Sequence, residues 1–152
     1  MMNIQRPVFT PQNPDFESAV QTEFEMQAFM KLIGAKLVKI APGEVEILLP
    51  FREDLTQQNG YLHAGIVTTI VDNACGFAAL TLMPPGASVL SVEFKVNLLS
   101  PAIGTEFIAR GEVIKPGKTI TVCSGEVYSM GEHEPKLVSS MSATMFTARG
   151  RS

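Results

Sequence analysis

The chain is poor in the residues on which most metal and redox chemistry depends. Its 152 residues include only two cysteines and two histidines. Cys75 and Cys123 form neither a disulfide framework nor a metal-binding spacing. Both sit among apolar neighbours, where cysteine serves as a small hydrophobe. His63 and His133 are too few for a histidine-rich metal site. The expectation is therefore no metal and no resident cofactor. An excess of positive charge is missing as well. Lys and Arg number 12 against 15 Asp and Glu, a formal net charge of -3, which leaves no basic face for nucleic acid. The basic residues are scattered, with Arg149 and Arg151 in a short tail. Charged residues make up 18% and hydrophobic residues 45%, a balance that supplies a core and argues against disorder. The first seven residues hold no apolar stretch of the kind a secretory leader needs, so the expectation is a cytoplasmic protein. There is no internal repeat and no linker, and the length suits one domain.

What is present is a succession of short periodic segments. Residues 1–14, with Pro7, Pro11 and Pro14, read as an extended arm ahead of a single domain over 15–152. Asp15 is placed to cap a first helix. Phe16, Val20 and Phe24 recur every fourth residue and mark its buried face, and Gly34 ends it. Two β-rich runs, 35–40 and 44–49, flank Pro42-Gly43 and predict a hairpin. Residues 51–63 are polar and turn-like. Residues 64–83 are then almost wholly apolar or small, helix-length, and stopped by Pro84-Pro85-Gly86. Length alone would allow a membrane span, but Asp72 and Asn73 would lie near mid-bilayer at high cost. The reading is a buried helix with no membrane span. Beyond it, Leu90, Val92, Phe94, Val96 and Leu98 alternate with polar residues, the period of a strand. Residues 104–114, 118–129 and 136–148 predict three more strands. Helix, two strands, long helix and four strands make an α+β domain with an antiparallel sheet.

The long helix carries one charge. From Asp54 to Glu93 the only intervening charged residue is Asp72, in the most apolar part of the chain. An unpaired buried carboxylate is costly. It is either a structural aspartate bonded to Thr68, Thr69 or a neighbouring strand, or a carboxylate kept in a cleft for chemistry, where burial raises its pKa. The helix start, Leu62-His63-Ala64-Gly65, offers backbone N–H groups at the positive end of the dipole, and Gly65 admits a ligand close to that backbone. Such an amide can hold a developing oxyanion. Gly65 and Asp72 are seven residues apart, a rise of about 10 Å on one face. A reacting carbonyl needs both groups within about 3 Å. Two antiparallel copies of the helix would meet that demand, which points to a two-fold dimer with shared sites.

These residues resemble the PaaI-like hotdog thioesterases over about 35–148. The resemblance rests on Asn59-Gly60-Tyr61-Leu62-His63-Ala64-Gly65, on Asp72-Asn73, and on the stretch Ser91-Val92-Glu93-Phe94-Lys95-Val96-Asn97-Leu98-Leu99-Ser100-Pro101-Ala102. It implies a hotdog fold, in which a long central helix is wrapped by a five- or six-stranded antiparallel sheet. It also implies homodimers that pair into homotetramers, and acyl-CoA thioester substrates, coenzyme A entering only as part of the substrate. Carried over, the Gly65 amide would hold the thioester carbonyl, and Asp72 of the partner subunit would act as general base or nucleophile. Ser91 would orient water, His63 would shape the carbonyl site, and Gln57 would lie near the thioester, with Asn59 as its substitute. Ala64 stands where the family has glycine and would narrow the substrate channel, and Asn73 lies beside Asp72 on the substrate side. Arg110, Lys115, Lys118 and Arg149 are surface candidates for the coenzyme A phosphates. The alternatives are a hotdog hydratase or dehydratase using His63 with Asp72, and a non-catalytic acyl-CoA-binding protein.

Overall fold

The computed structural model describes residues 5–149. The first four residues of the proposed arm, and Arg151 with its two neighbours, lie outside the described residues. Two helices open the fold where one was expected: α1 (Phe16–Met26) and α2 (Ala28–Ile33). The chain breaks at Gln27, whose backbone is extended at φ -76° and ψ 104°. The buried positions explain the break. Val20 and Phe24 keep the helical spacing, but the next buried residue is Met30, followed by Ile33, so the apolar face changes phase between them. Asp15 makes no side-chain cap. Its own N–H donates instead to Asn13 Oδ1 at 3.0 Å. Gly34 does end α2, in the left-handed region at φ 76°, where glycine carries no steric penalty.

The hairpin is formed by β1 (Lys36–Ala41) and β2 (Glu44–Pro50). A short 3-10 turn over Glu53–Leu55 then leads to α3 (Ala64–Leu80). α3 stops three residues before the expected end. Thr81 Oγ1 donates to Ala78 O at 2.6 Å and accepts the Gly43 N–H at 2.7 Å, closing the helix against the β1–β2 turn. Among the described residues no helix is long and apolar enough to cross a membrane. The remaining strands are β3 (Ala87–Leu98), β4 (Glu106–Lys115), β5 (Ile120–Met130) and β6 (Lys136–Arg149). All pairings are antiparallel, in one six-stranded sheet of order β1-β2-β4-β5-β6-β3.

α3 lies across the inner face of this sheet, buried on all sides from Ala74 to Leu80. The sheet permits the approach. A Cβ at Gly111 of β4 would fall 2.2 Å from the Ala74 carbonyl carbon, and one at Gly125 of β5 would fall 2.5 Å from Val71 Cγ2. The close contact therefore depends on glycines in the strands as much as on small residues in the helix. β3 is an edge strand. Its register slips between Ser91 and Glu93, a bulge that switches which alternate residues face inward. Before the bulge Ser91 pairs with buried Met145, and after it Phe94 pairs with buried Ala143. Ala87, Val89 and Val96 pack on the core, but Leu90, Val92, Phe94 and Leu98 of this edge are not covered: Leu90 is 58% and Leu98 55% exposed.

Candidate active site

Asp72 sits on the third turn of α3, half-buried, facing β3 rather than sealed in the core. The hydroxyl of Ser91 donates to its Oδ1 at 2.8 Å. The register of β3 sets this contact, because Ser91 is the last residue before the bulge. Burial raises the Asp72 pKa above the ordinary carboxylate value, and the Ser91 hydrogen bond opposes that shift. Of the two sequence readings, the hydrogen bond to a neighbouring strand is present, and the carboxylate also borders a cavity of about 150 Å³. Asn73 borders the same cavity, with its Nδ2 donating to Thr69 O at 3.1 Å.

The start of α3 departs from expectation. Its Gly65 amide is not free: it donates to His63 Nδ1 at 2.8 Å. His63 is the N-cap, with extended backbone, so its ring reaches the amide two residues on, as capping side chains do. The accepting nitrogen must be unprotonated, which places the ring proton on Nε2. A ligand carbonyl would take this amide only by displacing the imidazole. Gly65 and His63 border a second cavity, of about 400 Å³, with Phe29 of α2 and Ile66.

Gln57 and Ala64 border a third cavity, of about 320 Å³, with Tyr61 and Leu98. The Gln57 carboxamide oxygen accepts the Asn59 N–H within the turn, and Asn59 itself is exposed at the tip. Within one chain the residues named from the sequence thus fall into three groups: Asp72 with Asn73 and Ser91, His63 with Gly65, and Gln57 with Ala64. The sequence reading missed Glu23 and Gln27, which border the Asp72 cavity, and Phe29 at the Gly65 cavity. The phase change after Phe24 was the available signal for Gln27. Arg110 is engaged by Glu46 at 2.7 Å. Lys118 and Arg149 border a further cavity of about 700 Å³, whose lining includes none of the residues grouped above. Among the described residues no three His, Cys, Asp or Glu side chains gather as metal ligands would.

A sequence model of the thioesterase superfamily matches residues 59–136, the segment that holds Gly65, Asp72 and Ser91. Human acyl-coenzyme A thioesterase 13 is 28% identical over 138 residues, covering 84% of this chain and 98% of that protein. A solved thioesterase family protein from Silicibacter pomeroyi is 44% identical with a TM-score of 0.87, covering 89% of this chain and 99% of that one. The PaaI protein of Escherichia coli, from a phenylacetic acid degradation operon, shares the fold at a TM-score of 0.81 and 16% identity, over 91% of this chain and 97% of its own.

Proposed function

This chain belongs to the thioesterase superfamily, and we propose that it hydrolyses acyl-coenzyme A thioesters, with Asp72 as the carboxylate that activates water. The observation that carries this reading is a lone acid on an apolar helix, opening into a cavity and held by a hydroxyl at 2.8 Å. Burial makes Asp72 a stronger base than an exposed carboxylate. Ser91 fixes one carboxylate oxygen and leaves the other for water. As Asp72 takes the water proton, the oxygen adds to the thioester carbon. Collapse of the tetrahedral oxyanion breaks the C–S bond, and the proton passes to the departing coenzyme A thiolate. The Gly65 amide, once the carbonyl displaces His63, stabilises that oxyanion.

One chain does not bring these groups together, since Gly65 and Asp72 lie about 10 Å apart along α3 and border different cavities. A two-fold dimer pairing the β3 edges would set the Asp72 cavity of one protomer against the Gly65 amide of the other. The uncovered apolar edge of β3 supports it, because a long exposed apolar edge strand invites pairing. Pairing of dimers into tetramers, and a cytoplasmic setting, belong to the same reading.

The test is thiol release from acyl-coenzyme A by parent and variant proteins. Asp72→Ala is expected to lose roughly 100-fold or more in kcat. Gly65→Pro, which deletes the amide in a turn that tolerates proline, is expected to lose a similar factor. Mixed after refolding together, the two inactive variants regain about a quarter of parental activity, because each hybrid dimer holds one intact site. No recovery in hybrids shown to form would refute the shared site. Release undiminished in Asp72→Ala would refute the role of the acid.

A further inference from the structure

Resting on the reading of Asp72 as the reacting carboxylate, we propose that Gln27, with Glu23 one turn before it, forms the end wall of the acyl pocket and limits the protein to short, uncharged acyl groups. Both side chains border the Asp72 cavity. Both lie outside residues 59–136, the segment that the superfamily model matches, so this wall comes from the N-terminal helices.

The wall is anchored. Val20 and Phe24 are buried, and the Phe24 ring meets Phe77 edge-on, with centroids 5.9 Å apart. Phe77 is itself part of the cavity lining, so the contact that docks α1 also sets the height of the wall. The break at Gln27 then brings that residue inward. It is partly buried while Met26 and Ala28 on either side are exposed. Gly76 belongs to the same lining, beside Val89, whose Cγ1 would be 3.8 Å from an added Cβ.

Size and charge follow. A cavity of about 150 Å³ holds a group of roughly six carbon atoms. Its lining carries the neutral Gln27 carboxamide and two carboxylates, the exposed Glu23 and the half-buried Asp72. An acyl group terminating in a carboxylate would bring a third negative charge into this space, which like-charge repulsion opposes. A neutral acyl chain of up to about six carbons meets no such opposition, and a terminal hydroxyl or amide would find a partner in Gln27.

The experiment measures kcat/KM on saturated acyl-coenzyme A thioesters from acetyl to dodecanoyl, and on succinyl-coenzyme A. The parent is expected to fall off beyond about six carbons. Gln27→Ala is expected to move the limit outward and raise the octanoyl-to-butanoyl ratio by roughly 10-fold or more. Gln27→Leu, which keeps the bulk, is expected to leave the length limit in place. Glu23→Gln is expected to raise the succinyl-to-butanoyl ratio several-fold. A Gln27→Ala variant that changes all substrates by one common factor overturns the wall. If the parent releases no coenzyme A from any substrate, the hydrolytic reading fails instead. The same variants are then titrated with alkyl-coenzyme A thioethers, where a length profile of Kd that shifts in Gln27→Ala upholds the wall and an unshifted one overturns it.

Discussion

Replacing Gly111 by alanine puts the contact between sheet and helix under direct load. The new methyl would sit 2.2 Å from the Ala74 carbonyl carbon, 2.3 Å from its oxygen and 2.4 Å from the Cys75 nitrogen. All three are backbone atoms, so no side-chain rotation relieves the clash. Reaching even 3.0 Å, below which real Cβ contacts essentially never fall, requires sheet and helix to part by about 0.8 Å. Over-packing of a core costs about 1–3 kcal/mol, and with rigid backbone on one side the upper end applies, about 3 kcal/mol. Against a total stability of roughly 5–15 kcal/mol, that lowers Tm by about 6–12 °C for a domain of this size. The site feels the same displacement, because Asp72 lies half a turn before Ala74. Its 2.8 Å bond to Ser91 would open, and a misplacement on the order of 1 Å costs about 100-fold in rate. Circular dichroism melting and denaturant titration read the first effect, and thiol release the second. Gly131→Ala is the control, since the nearest atoms there are 4.0 Å away, and it is expected to stay within about 0.5 kcal/mol. A Gly111→Ala protein that loses less than about 1 kcal/mol and keeps parental activity would refute the argument from close approach.

The remaining expectations concern ionisation. Because burial raises the Asp72 pKa and Ser91 opposes it, the acid limb of kcat/KM is expected above the ordinary carboxylate range, and Ser91→Ala is expected to move it further up; a shift to lower pH contradicts the assignment. The same raised pKa means that the folded state holds the Asp72 proton more tightly than the unfolded chain. From this group alone, stability falls as pH rises from about 3.9, the ordinary value, to the raised native one. Asp72→Asn should remove that slope, seen as a flatter dependence of denaturation midpoint on pH. Both cysteines are buried. Burial pushes the Cys123 thiol up to about 12 and the Cys75 thiol higher still, so a thiol reagent should find no reactive cysteine in the native protein and two after denaturation.

The parts legible in the sequence are those encoded by neighbours. Pro42-Gly43 marked the hairpin turn, alternation marked β3, and an unbroken apolar run marked α3, since each reflects interactions within a few residues along the chain. Asp72 was visible for a similar reason, as the sole charge in a stretch where any charge is costly. The α1–α2 break was written only faintly, as the six-residue step from Phe24 to Met30. The rest depended on long-range pairing. The placement of β6 between β5 and β3, the bulge that turns Ser91 toward Asp72, and the glycines that let α3 settle on the sheet arise from contacts between residues tens of positions apart. So does the approach of Glu23 and Gln27 to a carboxylate almost fifty residues away. Sequence alone determined the kinds of element and the one costly acid. Only the tertiary structure decided that His63 caps Gly65, that the named polar residues separate into three groups, and that the N-terminal helices border the Asp72 cavity. Periodicity shows which face of each element is apolar, whereas the partner that covers it is selected by packing of the whole chain.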